Sequence, residues 1–133
     1  MAFFKRLDYG RLYVVKLTLP DSLVVYKVGM TGSDRATDRM MEILRSWFVA
    51  YRFVPYAELR LDREVENPRQ LEKLAHKLLE DFRWIPDKKV EGGTEMFTGL
   101  DELRLLHFLK HLEVTDSIEG MNIIGNLLLG AHD

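Results

Sequence analysis

The chain has 133 residues, 47% of them hydrophobic, with seven Phe, five Tyr and two Trp; that is one domain's worth and enough to bury a core. Its formal charge of −2 weighs against a tight, non-specific nucleic-acid coat, although Lys5, Arg6, Arg11, Lys16, Lys27, Arg35, Arg39 and Arg45 crowd the first third. With no cysteine, disulfides, Cys-zinc sites and thiol nucleophiles are excluded, and no apolar run is long enough to span a membrane.

Met1 to Arg6 puts its charges after a very short apolar patch, which is not the order of a signal peptide. RLYVVKLT (11–18) and LVVYKVGMT (23–31) then read as the two strands of a β-hairpin, because both are rich in Val, Leu and Tyr. Pro20-Asp21-Ser22 supplies the turn. Alternation puts Tyr13, Val15 and Leu17 on one face and Val25, Lys27 and Gly29 on one face. One register sets Tyr13 beside Lys27, but nothing in the sequence selects it. Gly29 leaves room for a close backbone or phosphate.

A helix follows. Gly32-Ser33-Asp34 offers N-cap donors and Thr37 a second capping candidate. Ala36, Met40, Ile43, Leu44, Trp47, Phe48 and Tyr51 recur at helical spacing, with Arg35, Arg39 and Arg45 off that stripe. Arg39 falls on the side returning toward the second strand, where its guanidinium can fork onto a phosphate. RFVPYAELRL (52–61) reads as a third strand that Pro55 confines to an edge or bulge, and 62–66 as a charged loop.

Asn67-Pro68-Arg69-Gln70 is a helix start with a cap, a Pro at the first helical position and a capping box. The helix is expected to run to about Phe82 or Arg83, burying Leu71, Leu74, Ala75, Leu78, Leu79 and Phe82. Arg69, Glu72, His76 and Arg83 fall in one polar strip at the edge of that face, either lining a cleft or forming a plain surface pair. Residues 84–89 read as a loop, 90–94 as a flexible turn and Glu95-Met96-Phe97 as a short strand or extended segment. Thr98 and Asp101 fit a cap for a last helix through Leu100, Leu103, Leu106, His107 and Leu109 to near Leu112. His107 and His111 have a metal-compatible spacing but no third ligand, which favours solvated or capping histidines. The stretch 117–129 is densely aliphatic and predicts a helix, capped at Gly130, that packs deeply or forms a dimer interface.

Several of these pieces together resemble the GIY-YIG endonuclease superfamily: Arg11-Leu12-Tyr13, Lys27-Val28-Gly29, Arg39-Met40, LEKLAH around Glu72, Arg83 and GTEMF around Glu95. The wording YKVGMT is similar to its phage and meiotically up-regulated variant, in which KIG replaces YIG. The resemblance implies an α+β fold, a small three-stranded antiparallel sheet flanked by helices, with additional C-terminal helices. It implies one domain over 1–133, with 114–133 as a helical extension. It also implies phosphodiester hydrolysis, in double-stranded DNA before other substrates, with one divalent ion, Mg²⁺ or Mn²⁺.

In that pattern Glu72 holds the metal, Arg39 the scissile phosphate, and Tyr13 activates water. Lys27 replaces the second tyrosine as a cation that favours the Tyr13 phenolate. His76 joins the catalytic group, while Arg35, Arg83, Glu95 and Thr31 are assigned to substrate. The chain departs from the pattern where Arg11 replaces the first Gly, in a longer loop before Arg39, and in lacking the closing asparagine, whose region holds Arg83, Thr94 or Glu95. A cytoplasmic location, in a bacterium or a phage-infected cell, and a homodimer through the tail complete the expectation. The competing reading is a catalytically inactive nucleic-acid- or protein-binding module on the same fold.

Overall fold

The computed structural model describes residues 9–32 and 35–113. The Ser33 and Asp34 caps, the helix over 117–129 with its Gly130 cap, the 114–133 extension and the dimer surface on it lie outside those residues.

The hairpin forms as its composition predicts, with β1 at Tyr9–Thr18 and β2 at Val24–Thr31. In the turn the Asp21 carboxylate accepts from the Leu23 N–H at 3.0 Å, and Ser22 takes a positive φ of 73°. The register sets Tyr13 opposite Gly29 and Val15 opposite Lys27, so Tyr13 and Lys27 are diagonal rather than direct neighbours.

The expected three strands are five. β3 (Tyr56–Glu66), β4 (Arg83–Trp84) and β5 (Met96–Thr98) join the hairpin in the order β3-β1-β2-β5-β4, every pair antiparallel. β5 takes the strand alternative at 95–97, shifted by one residue, while β4 is too short to produce a readable alternation, and Trp84 belongs to it instead of a loop. The supposed charged loop at 62–66 is the second half of β3, paired along β1 as far as Tyr9 opposite Glu66. Charge misled there because β3 is an edge strand with one solvated face. Val65 alternates inward, and the Arg63 guanidinium donates to the carbonyls of Leu109 and Leu112 at 3.0 and 2.8 Å. Pro55 precedes the strand; the ladder's irregularity lies between Val14 and Val15.

α1 (Ala36–Tyr51) covers the sheet face carrying Tyr13, Val15, Leu17 and Val25. Ala36, Ile43 and Trp47 are buried from its stripe, but Phe48 is half exposed and meets Arg52 instead. Thr37 is already inside the helix; the N-cap position is Arg35, without a side-chain capping bond. Trp47 stacks on Tyr51 at 5.0 Å and Trp84 at 6.4 Å.

The opposite face is covered by α2 (Pro68–Leu78) and α3 (Glu102–His111). α2 ends earlier than expected, giving way to a single 3₁₀ turn at Glu80–Phe82 that swings the chain into β4. Asn67 occupies the N-cap position in a left-handed conformation with no side-chain bond, so the capping box with Gln70 does not form. Asp101 does cap α3, accepting from the Arg104 N–H at 3.0 Å, while Thr98 donates to the Val24 carbonyl within the sheet. The buried stripe of α3 is Leu105, Phe108 and Leu109, and Leu103 is exposed. His107 and His111 touch each other, 4.7 Å between ring centroids, on the exposed side. Among the described residues no helix is long and apolar enough to cross a membrane.

Trp47 is the largest fully buried side chain of the α1 layer. Trp47→Ala should lower the unfolding free energy by about 3–5 kcal/mol, measured by urea denaturation. A loss under about 1 kcal/mol would mean that α1 does not hold the sheet through this ring.

Candidate active site

β5 pairs with β2 at Val25, Tyr26 and Lys27, one further bond runs from the Val28 N–H to the Glu95 carbonyl at 3.2 Å, and beyond it the edge of β2 is open to side chains. Side chains from both faces of the sheet reach that edge, and the candidate residues gather there.

Lys27 points to the α1 face and is 2% exposed, yet carries an ammonium group. A buried charge needs a partner. Glu95, just before β5, supplies it in a direct ion pair. The turn leading to Glu95 lies over the lysine stem. A Cβ on Gly92 (φ +69°) would stand 2.6 Å from Lys27 Cε, so both the backbone conformation and the close approach require glycine.

Gly29 is the second required glycine. Its absent Cβ would lie 2.6 Å from the Tyr13 hydroxyl oxygen and 3.0 Å from Lys27 Nζ. The room expected there for a phosphate is taken by these two side chains. The Tyr13 hydroxyl is fully buried, close enough to the Arg39 guanidinium to feel it but without a hydrogen bond of normal geometry. Burial first, then the charges of Glu95 and Glu72, push its pKa up to about 12, against the pull of the nearby Arg39 guanidinium. The expectation that Lys27 favours the phenolate therefore needs correction. Lys27 is committed to Glu95, the effective cation is Arg39, and the resting group is a phenol. Arg39 itself is held by Glu42 and, at 3.4 Å, by Glu91.

Glu72 and His76 arrive from the opposite face. One turn apart on α2, they lean over the open edge of β2 where a continued β5 would have run. His76 Nε2 lies 2.7 Å from the Val28 carbonyl, and Glu72 is within reach of the Met30 N–H. The bond to a carbonyl makes Nε2 the donor, which leaves Nδ1 as an acceptor. Both residues are half-buried, not a surface pair. One ligand atom each from Glu72, His76 and Glu95 fall within 4.8 Å of one another. Two carboxylates and a neutral imidazole at that spacing are a donor set that fits a divalent cation. Arg83, beyond the end of α2, donates to the Thr94 carbonyl, pairs with Glu80 at 2.8 Å and lies over the Phe97 ring, steadying the turn that carries Glu95.

The remaining candidates stand apart. Arg35 is exposed and pairs with Asp38 at 3.4 Å. Thr31 is buried at the end of β2, opposite Arg11. Glu91 and Gly92 are parts of the site that the sequence did not single out; their signal was the Gly92-Gly93 turn just ahead of Glu95. A groove of about 1010 Å³ runs beside the cluster between α1 and residues 85–94, lined by Arg45, Val49, Ile85, Lys88, Lys89 and Gly92 among others.

Burial, with the Glu95 charge second, pushes the Glu72 carboxyl up to about 7 from its ordinary 4.5. The folded protein thus keeps a proton that the unfolded chain releases. Glu72 therefore makes the metal-free fold less stable as pH rises from about 4.5 to about 7. His76, lowered chiefly by burial, acts in the other direction on acidification. Comparing thermal midpoints of wild type and Glu72→Gln across that window isolates Glu72. The wild type should lose ground to the variant as pH rises, and parallel profiles would contradict the raised pKa.

Residues 10–113 match the model of the T5orf172 domain family. No curated protein and no solved structure matches the chain. The matched stretch contains Tyr13, Lys27, Arg39, Glu72, His76, Arg83 and Glu95, and the chain belongs to the T5orf172 domain family, a phage-associated group related to nucleases.

Proposed function

We propose that this protein is a metal-dependent endonuclease of the GIY-YIG type, hydrolysing phosphodiester bonds in double-stranded DNA. The observation that carries the reading is the convergence at one sheet edge of a tyrosine, two cations, two carboxylates and an imidazole from five separate segments.

Glu72 would hold the divalent ion, Mg²⁺ or Mn²⁺. That ion would neutralise the carboxylates that hold the Tyr13 pKa up, and would stabilise the leaving oxygen. Tyr13 brings a buried hydroxyl that could bond the attacking water, with the Arg39 guanidinium drawing down its proton affinity. The Arg39 guanidinium suits the scissile phosphate, which would take the place of Glu91. Lys27 adds positive charge behind Tyr13, and because the fold shields both from bulk water, charge interactions between them are stronger than they would be in solvent. Lys88, Lys89 and Arg45 along the neighbouring groove offer the charge to seat a DNA backbone.

One observation favours the alternative of an inactive binding module. Both cations are paired with carboxylates, and Tyr13 is completely covered. Incubation with plasmid and Mg²⁺ or Mn²⁺, with a chelator control, separates the two. Metal-dependent nicking is expected. Glu72→Gln should abolish it while leaving DNA binding in a gel-shift assay intact. Arg39→Ala should slow cleavage roughly 10²–10³-fold if the guanidinium meets developing phosphate charge. Tyr13→Phe should slow the chemical step without unfolding the protein. DNA binding with no cleavage under either metal would leave the binding module as the function.

A further inference from the structure

The metal reading above asks only for the Glu72 carboxylate, but the surroundings of Glu72 carry more. Glu72 and His76 stand one turn apart on α2, and Glu95 comes from the turn before β5, so this trio meets only in the folded chain.

Three observations besides the spacing point to a ligand. The His76 ring is anchored through Nε2 on the Val28 carbonyl, the arrangement by which proteins orient a metal-ligating imidazole and leave its other nitrogen available. A cation already sits at the trio, since the buried Lys27 ammonium occupies Glu95. The fully buried Tyr13 hydroxyl makes no hydrogen bond of normal geometry and lies within range of the Glu95 and Glu72 charges.

We propose that Glu72, His76 and Glu95 together form a three-ligand divalent-cation site that prefers Mn²⁺ and similar borderline ions to Mg²⁺, and that the incoming ion displaces Lys27 from Glu95. The inference rests on the proposed metal dependence and specifies its ligands and metal class. Mg²⁺ binds through one or two carboxylates and keeps its water, whereas an imidazole nitrogen beside two carboxylates favours Mn²⁺, Fe²⁺, Co²⁺ or Zn²⁺. Lys27 is then an internal stand-in. It neutralises Glu95 until the ion arrives, and on release its ammonium stays in the covered interior on the Tyr13 side of the sheet. Arg39 keeps its Glu42 partner whatever the turn does, so Lys27 is the cation that metal loading releases.

The test is Mn²⁺ and Mg²⁺ titration of the full chain at mildly alkaline pH, followed by calorimetry and by the electron paramagnetic resonance of free Mn²⁺. Wild type should bind Mn²⁺ more tightly than Mg²⁺. Glu72→Gln, His76→Ala and Glu95→Gln should each weaken Mn²⁺ binding roughly tenfold or more, at least as much as removal of an outer-shell support. Lys27→Met removes the competitor and should tighten it, a change that general damage to the fold would not produce. If only Glu72→Gln matters, the single-carboxylate reading stands and the three-ligand site is overturned. If wild type binds neither ion, both readings fall. Circular dichroism establishes folding. For any ligand variant that does not fold, the Lys27→Met arm decides: tighter Mn²⁺ binding upholds the site, unchanged or weaker binding overturns it.

Discussion

A lysine ammonium with almost no solvent contact is the constraint around which the site is built. Stripping water from such a charge costs several kcal/mol unless a counter-charge repays it. Glu95 is that counter-charge, and its position governs much else. The turn ahead of Glu95 must pass close to the lysine stem, which requires Gly92; the strand must make way for Tyr13 and the ammonium, which requires Gly29. Arg83 then holds the turn from outside through the Thr94 carbonyl. Ion pair, two glycines and a surface arginine thus form one mechanical unit, although they lie far apart in the chain.

The second condition is an unfinished sheet. A strand at the end of its pairing presents backbone groups that must be satisfied. Beyond Lys27, β2 loses its ladder to β5, and polar side chains of α2 take over part of that duty. This lets residues rooted on opposite faces of the sheet share one space. Tyr13 belongs to the α1 layer and Glu72 to the α2 layer, yet each carboxylate of the cluster acts on the Tyr13 hydroxyl.

The electrostatics of the site reflect a fold in which opposing groups are already matched. Glu91 and Glu42 hold Arg39, and Glu95 holds Lys27. Carboxylates thereby occupy the cations that a phosphate would need. Glu72 is the exception, since burial and the like charge of Glu95 leave it partly protonated near neutral pH. A carboxylate with a backbone partner but no ion pair, beside a neutral imidazole, suits a cation that the protein chain itself does not supply.

The hairpin, α1, the start of α2 and the cap of α3 were legible in the sequence because each is a local pattern: alternation around Pro20-Asp21, a stripe through Trp47, Pro68 at a first helical position, Asp101 before a helix. Tyr13, Lys27, Arg39, Glu72, His76, Arg83 and Glu95 were legible as chemically suited residues in an order that resembles a nuclease family. Their meeting was not. The register that sets Tyr13 against Gly29, the pairing of residues 62–66 as an edge strand, and the three-residue strand that ends where Glu95 begins are all long-range choices. A period of two is the same for every even shift of register, and a charged edge strand has the composition of a loop. The role of Lys27 changed for the same reason. Sequence can supply a cation near a tyrosine, but only the folded chain decides which carboxylate claims it first, because the energy of a buried charge depends on neighbours that lie far away along the chain.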